Sequence, residues 1–281
     1  MLLLADPQPE DPMSSSSTFL SASLLVAACA GCGGGPTGDF MTPQIAADVS
    51  TARAARVVFL HHSVGADVLA GVERLDHAVP GPNLRLESTT STLEGPVFLH
   101  GPGGQNELPR TKIDAFASLI ARRPSLQPDL ALMKLCYIDI DPNTDVDDLF
   151  AHYSETMRRL ARAHPGIRFG HVTAPLTSSP TGLKAGIRRV IGMQVWEDDA
   201  NVKRHAFNVR LRADFGDDPI FDLAAIESTG PDGTESGFVV DGTTYPSLDP
   251  RYTDDGGHLN ELGEQVAAAA FLRFVAEVVS R

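Results

Sequence analysis

Short apolar runs alternate with longer stretches of helical periodicity over most of the chain. The apolar runs predict buried strands, at residues 56–60, 83–87, 128–139, 167–173 and 219–224. Apolar residues three and four positions apart predict helices, at residues 66–75, 112–123, 145–163, 201–215 and 261–279. Because strands and helices alternate, we predict an α/β domain with a mainly parallel sheet of about five strands and helices on both faces.

Three segments between these elements are rich in Gly, Pro, Ser or Thr and are predicted to be loops. Residues 89–106 form the first. Residues 177–195 form the second, which is either a lid over a substrate crevice or an ordinary solvated excursion. The third, residues 227–252, is predicted to contain a small hairpin within residues 237–245.

Residues 1–50 lack the alternation and are left out of the predicted domain, which spans residues 51–281. The apolar run at residues 18–29 is too short for a membrane span but suits a signal-peptide core. Its end, Val26-Ala27-Ala28-Cys29, resembles a bacterial lipobox, in which cleavage leaves Cys29 for lipidation. We therefore expect export to the periplasm or cell exterior, with membrane contact only through a lipid on Cys29 and a Gly-rich tether. The alternative is an ordinary disordered N-terminus.

Composition limits the partners and the redox chemistry. The chain has 281 residues, 42% of them hydrophobic, which is enough for one substantial core. Its net charge of -13 argues against nucleic acid and against an anionic membrane surface as partners. Cys29 and Cys32 precede the domain and leave Cys136 alone within it, so no disulfide is expected there. A metal site at the C-x-x-C pair is rejected because no second pair of ligands follows.

Candidate chemistry lies at the two ends of the predicted domain. Ser63 follows the first strand and precedes a helix, whose first N–H groups and positive dipole end favour a developing oxyanion. Near the other end, Asp255 precedes His258 by three residues in a Gly-rich turn. A carboxylate at that spacing holds one imidazole nitrogen while the other faces the serine, which needs a base to act as a nucleophile.

Each of these residues also has an ordinary structural interpretation. A serine after a strand is most often a helix N-cap, and His258 alone is compatible with a surface turn. The combination of strand, serine and helix at one end with D-x-x-H before the last helix favours nucleophilic catalysis. His61 and His62 are not expected to share a metal, since adjacent residues leaving a strand point to opposite sides. We expect no metal and no organic cofactor.

These motifs resemble those of the SGNH/GDSL hydrolases, which are serine esterases and lipases with a flavodoxin-like α/β/α sandwich. The resemblance covers about residues 55–279, with Ser63 in the first block and Asp255 and His258 in the last. The first block here is His61-His62-Ser63-Val64-Gly65 in place of the commoner Gly-Asp-Ser. The resemblance implies ester hydrolysis through an acyl-enzyme, with Ser63 attacking, His258 moving the proton and Asp255 orienting His258.

The oxyanion hole implied by the resemblance is less clear. It would use the N–H of Ser63 and, from the second block, that of Gly104 or the adjacent Gly103. The third block, G-x-N-D in the family, reads Cys136-Tyr137-Ile138-Asp139, so Ile138 stands where the family has a donor Asn. Asn106, Tyr137 or a backbone N–H are the candidates to replace it. Cys136 is expected to be a core residue, although a thiol enzyme is an alternative.

The expected substrate is a small neutral ester, such as an O-acetyl group on a carbohydrate. A second possibility is a catalytically weakened carbohydrate-binding relative, which Ile138 favours. A third is a structural lipoprotein of the cell envelope, which would need none of the triad. The sequence leaves the oligomeric state open.

Overall fold

The computed structural model describes residues 40–92, 94–190, 193 and 195–281. The described helices are α1 Pro43–Arg53, α2 Val64–Ala78, α3 Pro109–Arg122, α4 Val146–Ala163, α5 Leu183–Val190, α6 Trp196–Asp214, α7 Leu223–Ser228 and α8 Glu261–Val279. The described strands are β1 Arg56–Leu60, β2 Leu86–Ser88, β3 Val97–Gly101, β4 Leu130–Met133, β5 Arg168–Val172, β6 Ile220–Phe221, β7 Gly237–Val240 and β8 Thr243–Pro246.

Six strands form the central sheet in the order β2-β3-β1-β4-β5-β6, and every adjacent pair is parallel. If the edge strand β2 is set aside, the remaining order is the flavodoxin-like one, with β1 between two strands that follow it in sequence. The order of strands reverses at β1, so a crevice is expected at the carboxyl ends of β1 and β4.

Alternate residues of the strands face two separate cores. Val57 and Phe59 of β1 pack into the core formed with α1, α2, α7 and α8. Val58 and Leu60 pack into the core formed with α3, α4 and α6. Because both faces of the sheet are covered by helices, its central strands β1 and β4 are almost wholly apolar and buried. The fold is therefore the predicted three-layer α/β/α sandwich.

Strand β3 corrects the sequence prediction. Residues 89–106 were predicted to be one loop, yet Val97–Gly101 within them pairs with both β1 and β2. The sheet thus has six strands, one more than the five segments predicted. The five apolar-rich residues are enclosed by Gly and Pro, so local sequence indicates turns, whereas pairing between two strands buries Phe98 and Leu99 completely.

A helix also begins before residue 51, where the predicted domain starts. Helix α1 begins at Pro43, with Thr42 as its N-cap, and buries Val49 and Ala52 in the core that contains α8. The polar residues of α1 give it little amphipathic pattern, so periodicity did not reveal it. Two buried apolar side chains are nevertheless enough to fix it against its neighbour.

The remaining predicted elements compare with the structure as follows. The strand predicted over residues 128–139 ends at Met133, and a 3-10 turn at Tyr137–Asp139 follows. The segment considered as a lid contains helix α5, Leu183–Val190. The predicted hairpin is present as β7 and β8. No helix in the described part of the chain has the length and apolar character of a membrane span.

Candidate active site

Ser63 lies at the junction of β1 and α2, where the strand order reverses. Its backbone has φ 47° and ψ -115°, a conformation that L-residues other than Gly rarely adopt. Such a backbone costs about 1–3 kcal/mol and persists only where the surroundings enforce it. Strain of this kind, directly between a strand and a helix, is frequent at functional sites and presents the side chain at the carboxyl edge of the sheet.

The first turn of α2 shows why the chain bends here. Gly65 packs against His61 so closely that a Cβ at position 65 would lie 2.5 Å from the His61 Cβ. Ser63 occupies the N-cap position, but its side chain makes no capping hydrogen bond. The ordinary explanation for a serine at this joint therefore fails, since its hydroxyl is not used to begin the helix.

Asp255 and His258 form a hydrogen-bonded pair. The Nδ1 of His258 lies 2.6 Å from Oδ2 of Asp255. The other carboxylate oxygen, Oδ1, accepts the backbone N–H groups of Gly257 and His258 at 2.9 and 2.8 Å. The hydrogen bond from His258, aided by these N–H groups, holds the pKa of Asp255 well below its usual range. Nδ1 therefore carries the proton toward the carboxylate, and Nε2 is left to act as a base.

The turn that carries His258 is fixed to the helix that Ser63 begins. Asp67, in the first turn of α2, accepts the N–H of Leu259 through Oδ2 at 3.1 Å. The ring of Tyr137 meets the His258 ring edge-on, with 5.6 Å between centroids. Gly257 permits this approach, because a Cβ there would lie 2.8 Å from the Tyr137 ring. The two ends of the predicted domain therefore meet at the crevice.

One contact of the predicted triad is not formed. Within the described residues, Ser63 Oγ makes no hydrogen bond to His258. Both side chains are accessible, with Ser63 half-buried and the His258 side chain 45% exposed. Hydrogen bonds of catalytic groups are often long without substrate and tighten only in the reacting complex.

The second-block residues lie beside this junction. A Cβ at Gly103 would meet the side chain of Leu60, and the Gly103 carbonyl lies 3.0 Å from Nε2 of His62. Gly104 has φ +69°, and a Cβ there would lie 2.4 Å from the backbone nitrogen of Lys112. Glycine is thus required at position 104 by its conformation and by its contact with α3. In the described part of the chain, no protein group accepts the N–H of Ser63 or Gly104.

The third block keeps its carboxylate and lacks its amide. Ile138 is 41% exposed and has no polar side-chain atom. Asp139 is buried, where its Oδ2 accepts the N–H of Cys136 at 2.6 Å and pairs with the Nζ of Lys112 at 2.6 Å. Cys136 is buried, as expected of a core residue.

Sequence reasoning missed the charged groups under the crevice. Lys134 is buried, with Nζ donating to the Leu135 carbonyl at 3.1 Å. Glu227 accepts the N–H of Leu176 at 2.7 Å, and burial raises its pKa to about 8. Arg204 donates to the Tyr137 carbonyl at 3.0 Å, and burial lowers its pKa to about 10.

A partial signal for such residues was present in the sequence. Asp67 stands one helical turn after the candidate nucleophile, and Lys112 precedes Phe116 by four residues on the apolar face of its helix. The contacts of Glu227 and Arg204 join elements distant in sequence, so no local pattern identifies them.

Three buried or half-buried histidines, together with Asp222, have structural partners. His61 and His100 face each other with 3.1 Å between ring nitrogens, and burial lowers the pKa of His61 to about 3. His171 contacts the Tyr153 hydroxyl at 2.8 Å and is buried. Asp222 caps α7 and pairs with Arg212. Among the residues that the structure describes, no three His, Cys, Asp or Glu side chains form a metal-binding group. Cys29 lies outside the described residues.

No protein-family model and no curated protein matches the chain. Solved structures do match. One is an acetyl esterase mutant with an acetate ion, at 15% identity over 80% of this chain and 98% of that one, with a TM-score of 0.46. Another is a carbohydrate esterase family 3 protein from Talaromyces cellulolyticus, at 14% identity over 80% and 98% of the two chains, with a TM-score of 0.45.

A third is described as a lipolytic protein of the G-D-S-L family from Desulfitobacterium hafniense DCB-2, at 10% identity over 78% of this chain and 99% of that one, with a TM-score of 0.43. The family expected from the motifs is among these structural neighbours. At these identities and TM-scores the matches are likenesses of fold only.

Proposed function

We propose that this protein is a divergent SGNH/GDSL-type serine esterase that hydrolyses a carboxylic ester through an acyl-enzyme. The observation that carries the proposal is the Asp255–His258 hydrogen bond on a turn that Asp67 fixes to the first turn of α2. Ser63, at the start of the same helix, supplies a hydroxyl that is not used in capping and stands on a strained backbone.

In the first half of the reaction, Ser63 Oγ attacks the ester carbonyl carbon while its proton passes to Nε2 of His258. The Asp255 carboxylate, kept ionised by its low pKa, stabilises the imidazolium that forms. When the tetrahedral intermediate collapses, the C–O bond to the alcohol breaks and His258 protonates the leaving oxygen. A water molecule then repeats the sequence on the acyl-enzyme, releasing the acid and restoring Ser63.

The oxyanion is proposed to receive the N–H groups of Ser63 and Gly104 and the side-chain amide of Asn106. Neither backbone N–H has a protein acceptor among the described residues, so both are open to a ligand. One such donor is worth about a hundred- to a thousandfold in rate, so a replacement for the missing Asn at Ile138 matters for activity. The preferred substrate is proposed to be a small neutral ester, such as an O-acetylated carbohydrate.

The proposal is tested with p-nitrophenyl acetate and with diisopropyl fluorophosphate, in which the serine oxygen displaces fluoride. We expect the parent to turn over the ester and to gain one diisopropylphosphoryl group by mass, and Ser63→Ala to do neither. Ser50→Ala, an exposed serine of α1, is the matched control and is expected to behave as the parent. Equal turnover by Ser63→Ala and the parent would remove Ser63 from its role.

A carbohydrate-binding protein without significant hydrolysis is the second candidate. The apolar Ile138 at the family's donor position favours it. Isothermal titration with acetylated and deacetylated xylooligosaccharides separates the two functions, because a binding protein gives a heat of binding without released acetate.

We also infer from the sequence alone that the protein is exported and lipid-anchored through Cys29. Expression in a bacterial host, followed by membrane fractionation, tests this inference. The parent is expected in the membrane fraction and Cys29→Ala in the aqueous fraction. Identical distribution of the two proteins would count against the anchor.

A further inference from the structure

Lys112 is a buried lysine with an unusual set of partners. Its side chain is 1% exposed, and its Nζ lies 2.6 Å from Oδ2 of Asp139 and 2.8 Å from Oδ1 of Asn106. Burying a lysine is costly unless the charge is paired and its N–H groups are bonded. Here the ion pair meets that cost with a carboxylate that is itself buried, and the second partner of Nζ, Asn106, is an exposed residue.

The chemistry of the ammonium group fixes how the Asn106 amide is oriented. A lysine ammonium only donates hydrogen bonds, so Asn106 must present its oxygen to Lys112. The amide nitrogen, which only donates, then points away from Lys112. Asn106 is exposed, so its two N–H groups are available on the solvent side of the loop.

The same cluster fixes the loop on which Asn106 lies. Asp139 accepts the N–H of Glu107 at 3.0 Å through its other oxygen, while Glu107 itself has φ 66°. Gly104 packs directly on the backbone of Lys112. The ion pair therefore joins the loop after β3, the start of α3 and the turn after β4. The loop and the turn also reach the residue before Ser63, since the Gly103 carbonyl lies 3.0 Å from Nε2 of His62 and Sγ of Cys136 lies 3.8 Å from the His62 carbonyl.

We propose that Lys112 is a positioning residue that turns the Asn106 amide into an oxyanion donor and so compensates for Ile138. This inference rests on the proposed function, because it assigns a role within the same esterase site. Lys112 itself touches no reacting atom. It acts through Asn106, whose amide supplies the N–H that a G-x-N-D block would have provided.

The decisive variant is Asn106→Asp. Aspartate keeps an oxygen for Lys112 and forms a stronger pair with it, but it has no N–H to donate. If Asn106 has only a structural role, this substitution should therefore leave activity intact. If Asn106 donates to the oxyanion, the substitution should abolish that contribution. We expect kcat on p-nitrophenyl acetate to fall about a hundredfold or more, with KM nearly unchanged. Gln105→Glu adds the same charge to the neighbouring exposed residue and is expected to retain the parent kcat.

The role of Lys112 is tested by a double-mutant cycle. Lys112→Met alone would leave Asp139 buried and unpaired and threatens folding, so Lys112→Met is combined with Asp139→Asn. Circular dichroism checks that this variant is folded. We expect the Lys112→Met/Asp139→Asn variant to lower kcat about a hundredfold in the parent. In the Asn106→Asp background the same variant should lower kcat less than threefold, because the Asn106 donor is already absent.

The outcomes separate this inference from the proposed function. Loss of activity in Ser63→Ala together with unchanged kcat in Asn106→Asp would overturn the role of Asn106 and Lys112 only. If the reductions in kcat caused by Asn106→Asp and by Lys112→Met/Asp139→Asn multiply, Lys112 does not act through Asn106, and the positioning role is overturned. Full activity of Ser63→Ala would instead overturn the esterase mechanism itself.

Discussion

Replacing Asp255 by Asn tests the candidate mechanism at its most specific point. An Asn at this position keeps one oxygen to accept the N–H groups of Gly257 and His258, which Asp255 Oδ1 accepts at 2.9 and 2.8 Å. The turn should therefore stay in place. The amide nitrogen of the new Asn would then take the place of Oδ2, which lies 2.6 Å from Nδ1 of His258 in the parent. This amide nitrogen would donate a hydrogen bond to Nδ1. The imidazole is forced into the tautomer that carries its proton on Nε2, so it no longer accepts the proton of Ser63.

The expected loss follows from removing the base and the charge that stabilises the imidazolium. We expect kcat/KM to fall about 10²- to 10⁴-fold, equivalent to about 3–5.5 kcal/mol of transition-state stabilisation. The measurement is p-nitrophenyl acetate hydrolysis over a range of pH, with circular dichroism to verify folding. Because the pKa of Asp255 is held low by His258, the acidic limb of the parent's profile is not expected to report this carboxylate.

Asp254→Asn is the matched control, since it removes the same charge from the adjacent exposed residue. It is expected to keep the parent's kcat/KM within about threefold, as surface changes outside the reacting groups usually do. The reasoning is refuted if Asp255→Asn retains parent activity while Ser63→Ala has none. In that case either His258 acts as the base without an orienting carboxylate, or another group is the base.

Three further predictions concern residues around the crevice. Asp67→Ala removes the acceptor of the Leu259 N–H and should lower kcat about tenfold by loosening the His258 turn. Asp67→Asn keeps an acceptor and should lower kcat less, so equal rates for the two variants in a stopped assay would contradict a positioning role. Glu227→Gln should remove a pH dependence of stability, because burial raises the pKa of Glu227 to about 8. In the parent, the contribution of Glu227 to the free energy of unfolding is full below pH ~4.3 and is lost as pH rises through about 8, a decrease of up to ~5 kcal/mol. Urea unfolding at several pH values checks this, and parallel profiles for parent and Glu227→Gln would speak against it. Ile138→Asn should raise kcat several-fold by adding a donor at the half-exposed 3-10 turn; steady-state kinetics that show no gain would mean that the turn does not face the oxyanion.

How far the sequence predicted the fold depended on local signal. The apolar strand β1 and the strongly periodic helix α4 were predicted close to their observed bounds. Strand β3 was missed because Gly and Pro surround it, and only its place between β1 and β2 stabilises it. Helix α1 was missed because its apolar residues give it little amphipathic pattern, and its contacts with the core form only in the tertiary structure.

The candidate site shows the same division. Ser63, Asp255 and His258 were selected because each occupies a position with a local reason: the end of a strand, or a three-residue spacing within a turn. The pair of Asp255 and His258 needs only that turn to form, and the structure has it. Gly104 carried a local signal too, although the reason for glycine there is the backbone of α3.

The amino-acid sequence by itself thus indicated which residues are chemically suited to the proposed reaction, and it predicted the elements that have a local signal, such as β1 and α4. Tertiary structure alone decided that Asp67 holds the His258 turn and that Lys112 pairs with Asp139 beside Asn106. It also decided that Glu227 is buried with one oxygen that has no hydrogen-bond partner among the described residues. The physical reason is the separation along the sequence over which each kind of interaction acts. Periodicity and spacing report interactions within a few residues, whereas burial, ion pairing and desolvation depend on neighbours that only the packed sheet brings together.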